Sequence, residues 1–109
     1  MSKIDHAAFM ESILELHGKE KAYLIERLTI ELGYWIEVNR GAAADAAFSA
    51  RLAMFVRNGK AVYGRRLKEW RDAVKDHQRK AAGSAREAIH AREQVLEFDG
   101  LLRRMRAIQ

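Results

Sequence analysis

VYGRRLKEWRDAVKDHQRKAAGSAREAIHAREQVLEFDGLLRRM, residues 62–105, decides the fold. Within it Tyr63, Leu67, Trp70, Val74, His77, Ala81, Ser84, Ala88, Ala91, Val95, Phe98, Leu102 and Met105 follow one another at alternating steps of four and three. That alternation averages about 3.5 residues, the repeat that keeps one seam of an α-helix turned towards a partner helix. The seam is bulky at both ends and small from Ala81 to Ala91. Small residues let a second backbone approach closely, while the aromatic and branched ends grip it. The stretch predicts a long helical arm over residues 60–107, with Trp70, Val74, Ala81, Ala88, Ala91, Val95 and Phe98 packing against another helix.

Upstream the same stepping recurs through Ile4, Ala7, Glu11, Leu14, Gly18, Lys21, Ile25, Leu28, Leu32, Trp35 and Asn39. Met10, Ile13, His17 and Leu24 widen this face beyond a bare coiled-coil seam. Ser2 is expected to cap the first helix, with Asp5 three residues later near the positive end of the helix dipole. A first arm is therefore expected over residues 3–38, bent at most at Gly18, with Trp35 in its packing row.

Asn39-Arg40-Gly41 predicts the break, because Asn and Gly both tolerate the left-handed conformation that ends helices. A turn over 39–42 is followed by a short helix over 43–57, whose apolar row is Phe48, Leu52 and Phe55 or Val56. Asn58-Gly59 is a second stop. Gly83-Ser84 starts a possible capping box with Glu87, but the seam crosses it in phase, which predicts a kink at most. The expected fold is all-α: an elongated helical hairpin or coiled-coil-like bundle, two long arms and a short intervening helix, in one domain spanning residues 1–109.

The composition bounds the rest. With 109 residues the chain suits one domain, and without proline no position forbids helix. The absence of cysteine excludes disulfides, thiolate metal sites and cysteine nucleophiles. No apolar run reaches the roughly 18 residues that span a bilayer, and the N-terminal residues do not begin a signal peptide, so a cytoplasmic location is expected. The net charge of +5 is uneven. Residues 1–39 carry four Lys/Arg against seven Asp/Glu, residues 40–80 eleven against four, and residues 81–109 five against four, giving −3, +7 and +1. An acidic first arm favours packing on a basic second arm, and the basic middle favours an acidic partner.

On a helical wheel, Arg65, Lys68, Arg71, Lys75, Arg79 and Arg86 form one stripe facing away from Trp70. At 1.5 Å per residue it runs about 30 Å, long enough to follow a phosphate backbone. Glu69, Asp72, Asp76 and Glu87 lie beside it at spacings that allow intrahelical pairing. Tyr63 and Trp70 point into the seam and so offer no stacking platform for single strands. The stripe reads either as a self-paired solvent face or as a surface for an acidic partner.

No catalytic, cofactor-binding or metal-binding set emerges. The serines lack a nucleophile-elbow motif and the glycines form no phosphate-cradling loop. Glu87-Ala88-Ile89-His90 has the Glu-x-x-His spacing of di-iron bundles, which need two copies and further carboxylates. His6 and His17 make a poor ligand pair, and His77 in the seam reads as a hydrogen-bonded core histidine. Residues 101–108 are apolar and basic, as suits a membrane surface, a partner groove or a helix C-terminus whose arginines complement the dipole.

The expected function is a non-enzymatic protein–protein interaction module, acting as adaptor, chaperone or small inhibitor through coiled-coil packing and the basic face. It needs no cofactor, meets a protein with an acidic surface, and forms a homo-oligomer or joins an assembly. Nucleic-acid binding by the stripe is the alternative. In plan, a shorter arm, a glycine turn and a longer basic arm, the chain is similar to the coiled-coil stalk and chaperone proteins of type III export systems.

Overall fold

The computed structural model describes Ala8 and residues 18–107. Three helices follow in order: α1 (Gly18–Asn58), α2 (Lys60–Tyr63) and α3 (Leu67–Ala107). Among residues 18–107 only 59 and 64–66 lie outside a helix, and no strand occurs among the described residues. The two long helices pack against each other, so the fold is an all-α helical hairpin. The expected cap at Ser2 and the start of the first arm, with Met10, Ile13, His6 and His17, lie outside the described residues.

The break predicted at 39–42 is absent, because α1 runs through it without interruption. Asn39 is held in the seam: its Nδ2 donates to the Ala88 carbonyl oxygen at 2.7 Å. Gly41 faces solvent, and Glu37 pairs with Arg40 at 3.1 Å one turn apart, as a continuing helix requires. The separate helix over 43–57 is therefore the second half of α1. Of its predicted row Leu52 and Val56 are half-buried, whereas Phe48 and Phe55 are exposed and Ala42 and Ala53 are the buried residues.

The chain reverses between Asn58 and Leu67. Gly59 N–H donates to the carbonyls of Phe55 and Val56 at 3.0 and 3.1 Å, closing the end of α1. After the single turn of α2, Arg66 N–H donates to the Tyr63 carbonyl at 3.0 Å. Gly64 has φ 59° and ψ −119°, the first central position of a type II′ turn, which only glycine adopts without strain. The long arm thus begins at Leu67 rather than 60, and Tyr63 and Arg65 do not belong to it.

Contacts divide the chain into two compact units. In the first, residues 18–36 join residues 92–107. Its core is Leu28 with Leu102 and Met105, packed by Leu24, Ile25, Leu32 and Phe98. Val95 is half-buried in its predicted row, and Leu101 is fully buried. The apolar residues of 101–105 are thus inside, while Arg103, Arg104 and Arg106 face solvent near the helix end. That is the C-terminal, dipole-complementing reading of the segment.

The second unit spans Glu37–Ala91. Two hydrogen bonds fix its antiparallel register: Asn39 to the Ala88 carbonyl, and Trp70 Nε1 to the Val56 carbonyl at 2.9 Å. Between them α1 presents Ala42, Ala46, Ser49 and Ala53, and α3 presents Val74, His77, Ala81, Ser84 and Ala88, all buried or half-buried. Small side chains on both helices let the backbones approach, which is how the short Asn39 side chain reaches a main-chain oxygen across the pair. Gly83 and Ser84 lie within continuous helix.

Candidate functional site

The candidate surface belongs to the second unit. Lys68, Arg71, Lys75, Arg79 and Arg86 are all exposed on α3, in the phase opposite to Trp70, Val74 and Ala81. From Lys68 to Arg86 the face extends about 27 Å at the helical rise. Arg65 lies in the turn and extends the surface without being part of the helical face. The predicted packing residues Trp35, Trp70, Val74, Ala81, Ala88, Val95 and Phe98 are half-buried, and Ala91 is 0% exposed.

Two of the acidic neighbours pair with bases outside this face. Glu69 pairs with Arg66 at 3.3 Å and Asp76 with Lys80 at 3.2 Å, and neither base belongs to the stripe. Among the described residues no ion pair forms with Lys68, Arg71, Lys75, Arg79 or Arg86. No internal pair has to break before side chains of this kind meet a complementary surface, although they still lose hydration and rotamer freedom there.

At the turn end of the same unit lies a feature outside the seam, which the seam's periodicity does not mark. Phe55, Val56, Asn58, Gly59, Val62, Tyr63 and Arg66 line an open groove of about 560 Å³. Val62 and Phe55 are 80% and 78% exposed. The groove is held in shape from behind. Trp70 bonds the Val56 carbonyl and carries the Lys60 ammonium over its ring at 5.1 Å. Arg66 donates to the Tyr63 carbonyl at 3.3 Å, pairs with Glu69, and lies 5.5 Å from the Tyr63 ring centre. The signal in the sequence was Asn58-Gly59 followed five residues later by Gly64. Tyr63 happens to continue the phase of the α3 seam, which disguised the reversal.

Other candidates recede. Glu87 and His90 are exposed, and no group of three or more His, Asp or Glu among the described residues is placed to hold a metal ion. His77 is half-buried in the seam as expected, but its Nδ1 is buried without a hydrogen-bond partner among the described residues. No helix among the described residues is long and apolar enough to cross a membrane. Compared with known proteins, the chain matches no family model, no curated protein and no solved structure.

Proposed function

We propose that the chain is a non-enzymatic helical interaction module that meets an acidic protein surface through the basic face of α3, in the manner of an adaptor, chaperone or small inhibitor. One observation carries the reading: Lys68, Arg71, Lys75 and Arg79 are exposed along one helix face and unpaired among the described residues. Charge so arranged steers an acidic partner and fixes its register. The exposed apolar side chains, Tyr23, Ile30 and Tyr34 in the first unit and Phe48, Met54 and Phe55 in the second, support self-association or a place in an assembly. A cytoplasmic location goes with this reading, supported by the lack of cysteine.

The same unpaired face favours nucleic acid as the second reading. Against it, Trp70 and Tyr63 are half-buried, and the exposed Phe48 and Phe55 belong to α1 rather than to the helix that carries the stripe. The test is Lys68→Gln, Arg71→Gln and Lys75→Gln together. Melting is expected to stay within about 0.5 kcal/mol of the parent, as for surface substitutions generally. Binding to the protein partner, captured from the native host, is expected to weaken and to lose part of its salt dependence. Unchanged binding would reject the basic face. A salt slope on duplex DNA that falls by about 0.9 per lost phosphate contact would select the nucleic-acid reading.

A further inference from the structure

We propose that the groove at the turn end docks bulky apolar side chains of an acidic segment from a partner protein. The inference rests on the protein-partner reading above and names the chemistry of that partner. Residues 51–71 carry seven Lys/Arg against the single acidic Glu69, a net +6, although the whole chain carries +5. The groove lies within this stretch, and its volume of about 560 Å³ falls in the range of ligand clefts, although it is open to solvent.

The combination selects its occupant. An apolar concavity on a neutral surface would admit many hydrophobic segments, whereas here approach is favoured only for segments that carry Asp or Glu. Basic residues on a flat surface would attract any polyanion, whereas here affinity requires an apolar side chain to fill a recess. A segment with aromatic or leucine anchors flanked by carboxylates meets both demands, the usual division between central apolar anchors and a polar rim. A lipid surface fits less well, since Val56 and Tyr63 line a recess and are half-buried, where a bilayer leaves them without a filling group. Duplex nucleic acid supplies the charge but keeps its bases in the stack, out of reach of the recess. The type II′ turn at Gly64 and the Trp70–Val56 bond hold the recess formed before binding, which limits the ordering cost of docking.

The experiment is a selection from a random displayed peptide library on the full-length chain, followed by synthesis of the enriched peptides. The enriched sequences are expected to combine an aromatic or leucine residue with neighbouring Asp or Glu. Affinity for the Phe55→Ser/Val62→Ser variant is expected to fall by about tenfold or more, each tenfold being about 1.4 kcal/mol. Both positions are largely exposed, so the variant should melt with the parent, and its melting is measured alongside. A consensus lacking either element, or no consensus, overturns the proposal. So does a consensus peptide whose affinity survives the double variant. Phosphatidylserine vesicles or duplex DNA that bind more tightly than the peptides and lose binding in the same variant also overturn it, in favour of those partners. The Lys68, Arg71 and Lys75 glutamine variant separates the two readings: peptide affinity lost only there rejects the groove and keeps the basic face. Affinity lost only in the Phe55 and Val62 variant keeps the groove and rejects the wider face.

Discussion

Gly41→Ala distinguishes a continuous α1 from a hairpin that turns at 39–42. In the structure Gly41 lies in the interior of a 41-residue helix, exposed, and a Cβ added there meets nothing within 4 Å. No overpacking opposes the change. What remains is the entropy that glycine loses on entering a helix, roughly 0.8–1.0 kcal/mol relative to alanine. The expected result is stabilisation by about that amount, a rise of roughly 4–8 °C in Tm for a domain of this size. A turn would give the opposite sign, since alanine in a left-handed position costs about 1–2 kcal/mol. Gly33 supplies the control: it too is exposed within α1, with nothing within 4 Å of an added Cβ. The two positions lie eight residues, about 12 Å, apart along the helix, so their effects should add. Thermal and urea unfolding are followed by circular dichroism at one fixed protein concentration, because association would make the midpoint concentration-dependent. If Gly33→Ala stabilises and Gly41→Ala destabilises, the helix breaks where the local sequence signals placed the turn. If both destabilise, the exposure assigned to the two positions is wrong.

Gly64→Ala should destabilise by about 1–3 kcal/mol despite open space around it, because its backbone conformation is the strain, and urea midpoints would register the loss. A neutral result would mean that the turn is not type II′. Ala88→Leu and Ala91→Leu should each cost about 1–3 kcal/mol by overpacking the seam, while Ala82→Leu on the exposed side should fall within about 0.5 kcal/mol of the parent. Equal melting of all three would show that the α3 register is wrong. Asn39→Ala removes the bond to the Ala88 carbonyl and should cost about 0.5–1.5 kcal/mol. Amide exchange around residue 88 should quicken in that variant, and an unchanged profile together with unchanged stability would place Asn39 outside the seam.

The α3 seam was legible because large residues mark it at both ends and its stepping never slips from Trp70 to Met105. The basic face was legible for the same reason, as the complement of that seam. In α1 the period continued too, through Asn39, Ala42, Ala46, Ser49, Ala53 and Val56, each buried or half-buried. It was hidden by composition. Ala43, Ala44, Ala47 and Ala50 are as apolar as the seam alanines, and the largest side chains nearby, Phe48 and Phe55, lie on the exposed side. Against so muted a pattern, Asn39 and Gly41 read as a turn. Their helix-breaking tendencies are each on the order of 1 kcal/mol, which a tertiary hydrogen bond and a buried alanine seam outweigh. The groove was not legible, because it forms only where the reversal between Asn58 and Leu67 sets α2 and Arg66 beside the end of α1, and a recognition surface has no period to betray it.

The division of side chains in the second unit is consistent with the proposed interaction role. The apolar side chains it buries among the described residues are Ala42, Ala53 and Ala91, while Phe48, Met54, Phe55, Val62 and Ile89 remain largely exposed. Burying a methyl group contributes on the order of 0.8 kcal/mol, whereas burying a phenylalanine or methionine contributes about 1.5–3 kcal/mol. Exchanging the two sets would give a fatter, better-insulated pair of helices. The alanine seam instead brings the helices close enough for Asn39 to bond a main-chain carbonyl, and it leaves the larger apolar side chains outside. Stability forgone within the unit is then recoverable at its surface, when those side chains are covered by another copy or by a partner. The basic residues around the turn oppose close approach of two identical turn ends by like-charge repulsion. That repulsion does not act against an acidic segment, which is why the turn end suits a different protein better than a second copy of this chain.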